Sequence, residues 1–263
     1  MFDYHMHSTF SADCDTPMEK AIEEAIHRGL REICFTEHID EDYPDPTITF
    51  DLDLAAYDKK IREMQQAYAN RISIKKGVEI GIQPHLISNC KRVVEQEVFD
   101  FVICSMHTTQ KKDLHSGDFF KNQTIEEAYQ QYYQELYACI TQFKEFQVLG
   151  HIDLVKRYTK GQESNHDFHS ILSQIFHEII PAGKGIEINT SGFRYGLNSA
   201  MPSTDILKLY KDCGGEIITV GSDSHVETTV GSGVEDAIRL LRYLGFKYVT
   251  TFENKQPIFH PIT

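Results

Sequence analysis

The sequence predicts an α/β protein built as a parallel barrel of repeated β/α units, and three observations carry that expectation. Short apolar runs alternate with longer segments of helical periodicity some seven times, the pattern of parallel strands joined by helical crossovers. At 263 residues a closed barrel is favoured over an open sheet. The turn after the first strand-like run lacks a Gly-x-Gly-x-x-Gly fingerprint, which counts against a doubly wound nucleotide-binding sheet. No low-complexity linker or break in composition divides the chain, so residues 1–263 read as a single domain.

The elements follow in order. In the first run, FDYHMH (2–7), side chains alternate between faces, so His5 and His7 point one way and Tyr4 and Met6 the other. Thr16-Pro17-Met18-Glu19 reads as an N-cap, a proline at the first helical position and a capping-box glutamate, and Gly29 stands where a C-terminal glycine belongs. Strand-like runs recur at 32–38, 72–80, 100–107, 146–151, 185–190, 216–225 and 247–252. Helical patterns lie near 53–69, 85–97, 124–143, 167–182, 203–213 and 233–244. The stretch 108–123 is the longest expected loop, placed to overhang a barrel mouth.

With 41% hydrophobic and 25% charged residues the composition is that of an ordinary globular protein. No run approaches the roughly 18 apolar residues of a membrane span. The N-terminus has no signal-peptide order, so a cytoplasmic location and no membrane partner are expected. A net charge of −13 repels a phosphate backbone and argues against nucleic-acid binding. The six cysteines form no C-x-x-C pair and read as structural thiols in a reducing compartment, whereas 13 histidines raise the expectation of metal chemistry.

Ligand-type residues collect at the C-terminal ends of the strands. His5 and His7 end the first, Glu37 and His38 the second, Glu79 the third, His107 the fourth and His151 the fifth, while Asp223 and His225 follow the seventh. That is the end where β/α-barrel sites are assembled. His, Asp and Glu without cysteine suit Zn²⁺, Mn²⁺ or Fe. The donors exceed the needs of one ion, and a carboxylate such as Glu79 can bridge two. Such clusters hydrolyse phosphate esters.

HMHS…D (5–13), TEH (36–38), GVE (77–79), SMH (105–107), GHID (150–153) and GSDSH (221–225), in this order, resemble the motifs of the polymerase-and-histidinol-phosphatase (PHP) superfamily. HIDLVKRY (151–158) and NTSGFRYG (189–196) further resemble its histidinol-phosphate phosphatase branch. The resemblance implies a distorted (β/α)7 barrel with three divalent ions (Zn, Mn or Fe). One ion would be held by His5, His7, Glu79 and Asp223, a second by Glu79, His107 and His151, and a third by Asp13, His38 and His225. Position 13 is histidine in some members and aspartate here.

The resemblance also implies a bridging hydroxide as nucleophile and Arg157 and Arg194 as a clamp on the substrate phosphate, a task that suits bidentate guanidinium groups. The leaving alkoxide would take its proton from a bound water, Asp223 or His225. The implied reaction is hydrolysis of L-histidinol phosphate to L-histidinol and phosphate in histidine biosynthesis, with a small-molecule phosphate ester as partner. The alternatives are a phosphatase or phosphodiesterase for a nucleotide, sugar phosphate or phosphotyrosine peptide, and a non-catalytic metal-binding module. The complete ligand set speaks against the last. Metal identities and oligomeric state stay open.

Several residues carry two readings. Glu37 is a supporting or capping carboxylate as readily as a ligand. His27, His166, His169 and His177 read as surface, His85 as a cap and His260 as tail, while His115 in the long loop is a candidate substrate contact. Asn189 and Ser191 stand at the height for substrate polar groups. Tyr158, Phe193 and Tyr195 offer aromatic walls or core packing.

Overall fold

The computed structural model describes residues 1–159 and 167–262. Seven parallel strands run in sequence order: β1 (Phe2–Met6), β2 (Glu32–Ile39), β3 (Ser73–Gly81), β4 (Phe101–Ser105), β5 (Val148–Leu149), β6 (Gly185–Asn189) and β7 (Ile218–Gly221). The sheet closes at its upper rim by a bridge between Met6 and Ser224, with His7 N–H donating to the Ser224 carbonyl (2.9 Å) and Asp223 N–H to that of His5 (2.7 Å). The result is a distorted, nearly closed (β/α)7 barrel. The β2–β3 register sets His38 beside Glu79.

Helices α1 (Met18–His27), α2 (Leu54–Ala67), α3 (Ile87–Gln96), α4 (Ile125–Ile140), α5 (Val155–Tyr158), α6 (His169–Ile179), α7 (Ser191–Arg194), α8 (Thr204–Asp212) and α9 (Val234–Tyr243) follow the strands. Local chemistry sets several boundaries. Asp53 accepts the N–H of Ala56 at the start of α2, and Thr124 forms a full capping box with Glu127 at the start of α4. The box expected at 16–19 is absent. Pro17 occupies the cap position of α1, Thr16 donates instead to the His225 carbonyl (3.2 Å), and Glu19 pairs with Lys60. Gly29 takes φ +70°, as a chain reversal after a helix requires.

Most apolar side chains pack between the strands and the helices, while Tyr4, Cys34, Phe101, Ile103, Val148 and Phe252 form a smaller cluster inside the barrel. Tyr4 and Met6 were expected on one face, yet Tyr4 joins the inner cluster and Met6 the outer core. The cause is a break in register between Asp3 and Met6, where an inserted residue turns the strand and resets its alternation. Lys76, buried on the outer face of β3, is neutralised by Asp58 (2.9 Å) and Glu97 (3.4 Å).

The run at 247–252 is no barrel strand. It forms an antiparallel hairpin of β8 (Tyr248–Glu253) with β9 (Gln256–Pro261). Phe252 stacks on Phe101, and its backbone N–H donates to the Tyr4 hydroxyl (3.1 Å), which plugs the end remote from the histidines. His260 is part of this hairpin, bonded to Thr251, and not loose tail. All six cysteines are free thiols. Among the described residues no helix is long and apolar enough to cross a membrane.

Candidate metal centre

Glu79, inside β3 and pointing into the upper barrel, is the hub. Its Oε1 lies 3.0 Å from His151 Nε2 and 3.3 Å from His107 Nε2, and accepts from the Ser105 hydroxyl at 2.5 Å. Its Oε2 lies 3.0 Å from His5 Nε2, 3.3 Å from His38 Nδ1 and 3.6 Å from His7 Nε2. Five imidazoles thus converge on one carboxylate. Burial works against its charge, but His5, His38 and His107 outweigh that and hold the Glu79 carboxyl well below the ordinary range.

Asp223 faces the hub from the turn after β7. Its Oδ1 stands 3.8 Å from both His5 Nε2 and His7 Nε2, and 3.5 Å from His225 Nδ1. Its Oδ2 is saturated by Arg157 (3.0 Å), the Ser191 hydroxyl (3.1 Å) and the Asn189 amide (3.4 Å). Burial is again outweighed, here by His5, Arg157 and His225, and Asp223 is held well below the usual carboxylate range. The residue sits at φ 53°, a costly conformation for a non-glycine, and Arg194 donates to the carbonyls of Ser222 (2.7 Å) and Asp223 (2.9 Å) to fix that turn. At the outer side, Asp13 Oδ2 lies 3.2 Å from His225 Nε2 and 3.8 Å from His38 Nε2.

Within this cluster four sets of three donors gather closely enough to hold an ion: His5, His7 and Glu79; His5, His151 and Asp223; His38, Glu79 and His107; His7, His38 and His225. The chemistry of His7 tests the fit. The Ser11 hydroxyl donates to Glu37 (2.6 Å), so at 3.2 Å from His7 Nδ1 it acts as acceptor and places the ring proton there. Nε2 then carries the lone pair, is buried, and has no hydrogen-bond partner. Burial together with His225, His38 and His5 depresses the His7 pKa well below its normal value. A neutral imidazole aimed into a nest of carboxylates is the ligating form of histidine. The donors present therefore fit divalent ions.

The cluster floors a cavity of about 450 Å³ lined also by Arg157, Tyr43, Phe50, His115, Tyr158 and Tyr195. Arg157 lies over the Tyr195 ring (4.1 Å), its Nη2 donating to Asp223 and Ser191 while its buried Nε has no partner among the described residues. His115 stands edge-on to Tyr158 (5.8 Å), and the Tyr43 hydroxyl donates to Asp113 (2.8 Å), tying the β2–α2 loop to the long loop expected at the mouth.

A family comparison matches the PHP domain over residues 3–191. The chain belongs to the PHP family. A histidinol-phosphatase of Lactococcus lactis subsp. lactis is 35% identical over 256 residues, covering 95% of this chain and 93% of its own. Among solved structures, histidinol phosphate phosphatase from Lactococcus lactis subsp. lactis, complexed with zinc, L-histidinol and phosphate, superposes with a TM-score of 0.86 at 32% identity over 98% of both chains. A Listeria monocytogenes structure at 19% identity has a TM-score of 0.76 over 90% of this chain and 99% of its own, and shares the fold.

On this PHP barrel the nine ligand-type residues read from the sequence come together at one end. Arg157 lines the cavity with seven of them, His5 and His7 lying beneath, whereas Arg194 is not among the lining residues and donates to backbone carbonyls. Asn189 and Ser191 are buried in the Asp223 network, not open to the cavity, and Phe193 is 44% exposed. Glu37 serves as support, accepting from Ser8 and Ser11. Exposed His27 pairs with Glu24 and His85 with Asp42, while His166 falls outside the described residues.

Sequence reasoning missed three carboxylates. Glu187 accepts from His5 Nδ1 (2.7 Å) and from the backbone N–H of His151 (3.0 Å). It occupies space that a side chain at Gly221 would fill, since a Cβ there would come within 2.2 Å of it. Asp40 contacts His107, and Asp3 stitches the seam under His5. A signal existed in each case: an acidic residue within or against an otherwise apolar strand is rarely buried without a partner.

Proposed function

We propose that this protein is a metal-dependent histidinol-phosphate phosphatase, hydrolysing L-histidinol phosphate to L-histidinol and phosphate. The observation that carries the reading is the convergence of five imidazoles on the two oxygens of Glu79, on the barrel of a family in which a relative 35% identical to this chain is a histidinol-phosphatase. His5, His7, Glu79 and Asp223 would hold one divalent ion, Glu79, His107 and His151 a second, and Asp13, His38 and His225 a third. Zinc, manganese and iron all suit these donors. When bound, such ions acidify water and neutralise charge on a phosphoryl group.

The chain's own residues do the rest. Arg157, with its guanidinium carbon 4.1 Å from the Tyr195 ring centre, presents its guanidinium to the phosphate. Arg194 acts from behind, keeping the Asp223 turn in its left-handed conformation. Three donors on Oδ2 keep Asp223 ionised, which makes it an orienting and ligating group and a poor source of protons. The leaving alkoxide takes its proton from water at the open mouth, since His225, as a ligand of the third ion, has no acidic proton to give. Tyr43, Phe50, His115 and Tyr158 give the organic end of the substrate an aromatic enclosure. The expected place of work is the cytoplasm.

The test is a comparison of kcat/KM for L-histidinol phosphate, 4-nitrophenyl phosphate and AMP on metal-replete enzyme. A preference of about a hundredfold or more for L-histidinol phosphate is expected. Similar low values on all three would overturn the substrate assignment.

A further inference from the structure

Asp40 lies just past β2, buried, with no role in the ligand sets above. Its Oδ1 accepts from His107 Nδ1 at 2.7 Å, and its Oδ2 stands 3.3 Å from His38 Nδ1. His38 lies in β2 and His107 in the segment following β4, and on the reading above they serve different ions. The neighbouring strand makes room for this carboxylate: a Cβ on Gly81 of β3 would lie 1.7 Å from Asp40 Oδ1 and 2.2 Å from its Cγ. Gly81 is therefore a cradle, and any larger residue would evict Asp40.

We infer that Asp40 is a positioning residue that orients His107 and His38 together and so couples the second and third metal positions. The inference rests on the metal-centre reading proposed above. A carboxylate at both Nδ1 atoms fixes both protons there and leaves both Nε2 lone pairs free for ligation. For His107 that lone pair points at Glu79 (3.3 Å), and for His38 at Asp13 (3.8 Å). This decides an ambiguity in the cluster, because His38 groups both with Glu79 and His107 and with His7 and His225. His38 Nδ1 faces two carboxylates at 3.3 Å each, Asp40 Oδ2 and Glu79 Oε2, which leaves Nε2 for the outer position beside Asp13 and His225. One carboxylate then sets the rotamers of two ligands, and loss of it loosens two ions at once.

Zn²⁺ stoichiometry and affinity, measured by elemental analysis and chelator competition, test this with no reference to activity. Wild type is expected to hold three equivalents, and fewer than two would refute the metal-centre reading itself. Asp40→Asn is expected to keep one tight equivalent and to lose at least tenfold in affinity for the other two. Three equivalents at unchanged affinity, or weakening of one alone, would overturn the coupling.

Gly81→Ala should reproduce the Asp40→Asn pattern, and Asp40→Ala/Gly81→Ala should bind no worse than Asp40→Ala. Additive losses would show that Gly81 acts by another route. Metal-free melting of Asp40→Asn within about 2 °C of wild type separates positioning from folding, and Asp40→Ser carries the same expectations should Asn fail to fold.

Discussion

Asp153, two residues beyond His151, accepts the backbone N–H of Ser203 (3.0 Å) with one carboxylate oxygen and leaves the other buried without a partner. Burial pushes its pKa up to about 6, against the pull of Lys156 and Arg157. An acid raised from about 3.9 in the unfolded chain to that value holds a proton in the native state that the unfolded state gives up. The resulting penalty is absent below pH ~4, grows as pH rises, and is complete above about pH 6. Asp153→Asn keeps an acceptor for Ser203 and cannot ionise. Metal-free Asp153→Asn should therefore be more stable than wild type by roughly 2–3 kcal/mol at pH 7 and no more stable at pH 4. Equal melting curves at pH 7 would remove the argument. Arg157→Lys tests a different property, since lysine keeps a charge for Asp223 but loses the planar fork over Tyr195. KM should rise about tenfold with metal content unchanged, and an unaltered KM would take Arg157 off the phosphate.

At this scale the ligands were legible, while their supports were signalled only as acids in apolar strands, with their partners unreadable. His5, His38, Glu79 and His107 announce themselves by recurring at strand ends in a fixed chemical class. Asp40, Glu187 and Asp3 act through imidazole nitrogens and backbone N–H groups of residues far away in sequence, and no spacing encodes that.

Among the elements, the barrel seam is the most exposed to a single change. Asp3 Oδ1 accepts from Ser222 N–H (2.8 Å) and His5 N–H (3.4 Å), and its Oδ2 from the Ser222 hydroxyl (2.6 Å) and Gly231 N–H (2.8 Å). Four donors from β1 and from the segments after β7 thus meet on one buried carboxylate. Asp3→Ala strands them in the interior and should cost about 3 kcal/mol or more, whereas Asp3→Asn keeps part of the network and should cost less. Urea unfolding of the two variants gives the comparison, and equal costs would mean that packing and not hydrogen bonding closes the seam. Element order was readable because apolar periodicity follows the two-faced burial of each strand and the one-faced burial of each helix. The failures have local causes. The bulge in β1 reversed the facing of Tyr4, and β5, expected over 146–151, pairs only at Val148–Leu149. The apolar run at 247–252 is buried as a plug, which a strand pattern cannot distinguish from a barrel stave.

For the molecule as a whole, the centre is also a fastening. The proposed ligands come from β1, β2, β3 and the segments following β4, β5 and β7, so ions seated among them would cross-link six of the seven strands at one end. Their binding free energy is then folding free energy, because the unfolded chain scatters these donors over more than two hundred residues. Each ion present at about a thousandfold above its Kd adds about 4 kcal/mol to the native state. For a chain somewhat beyond the 150–250-residue range, where 1 kcal/mol moves Tm by about 2–4 °C, stripping even one such ion should lower Tm by roughly 8–16 °C, and stripping all three by more. Re-addition of Zn²⁺ or Mn²⁺ should restore it. Glu79→Gln supplies the internal control: it removes the carboxylate shared by the first two ions, so its melting should respond to chelator or added metal markedly less than wild type does. A wild-type Tm that ignores chelation, with metal removal verified by elemental analysis, would separate the centre from the stability of the barrel. The strand ends would then be held by the Met6–Ser224 bridge and the Asp3 network alone.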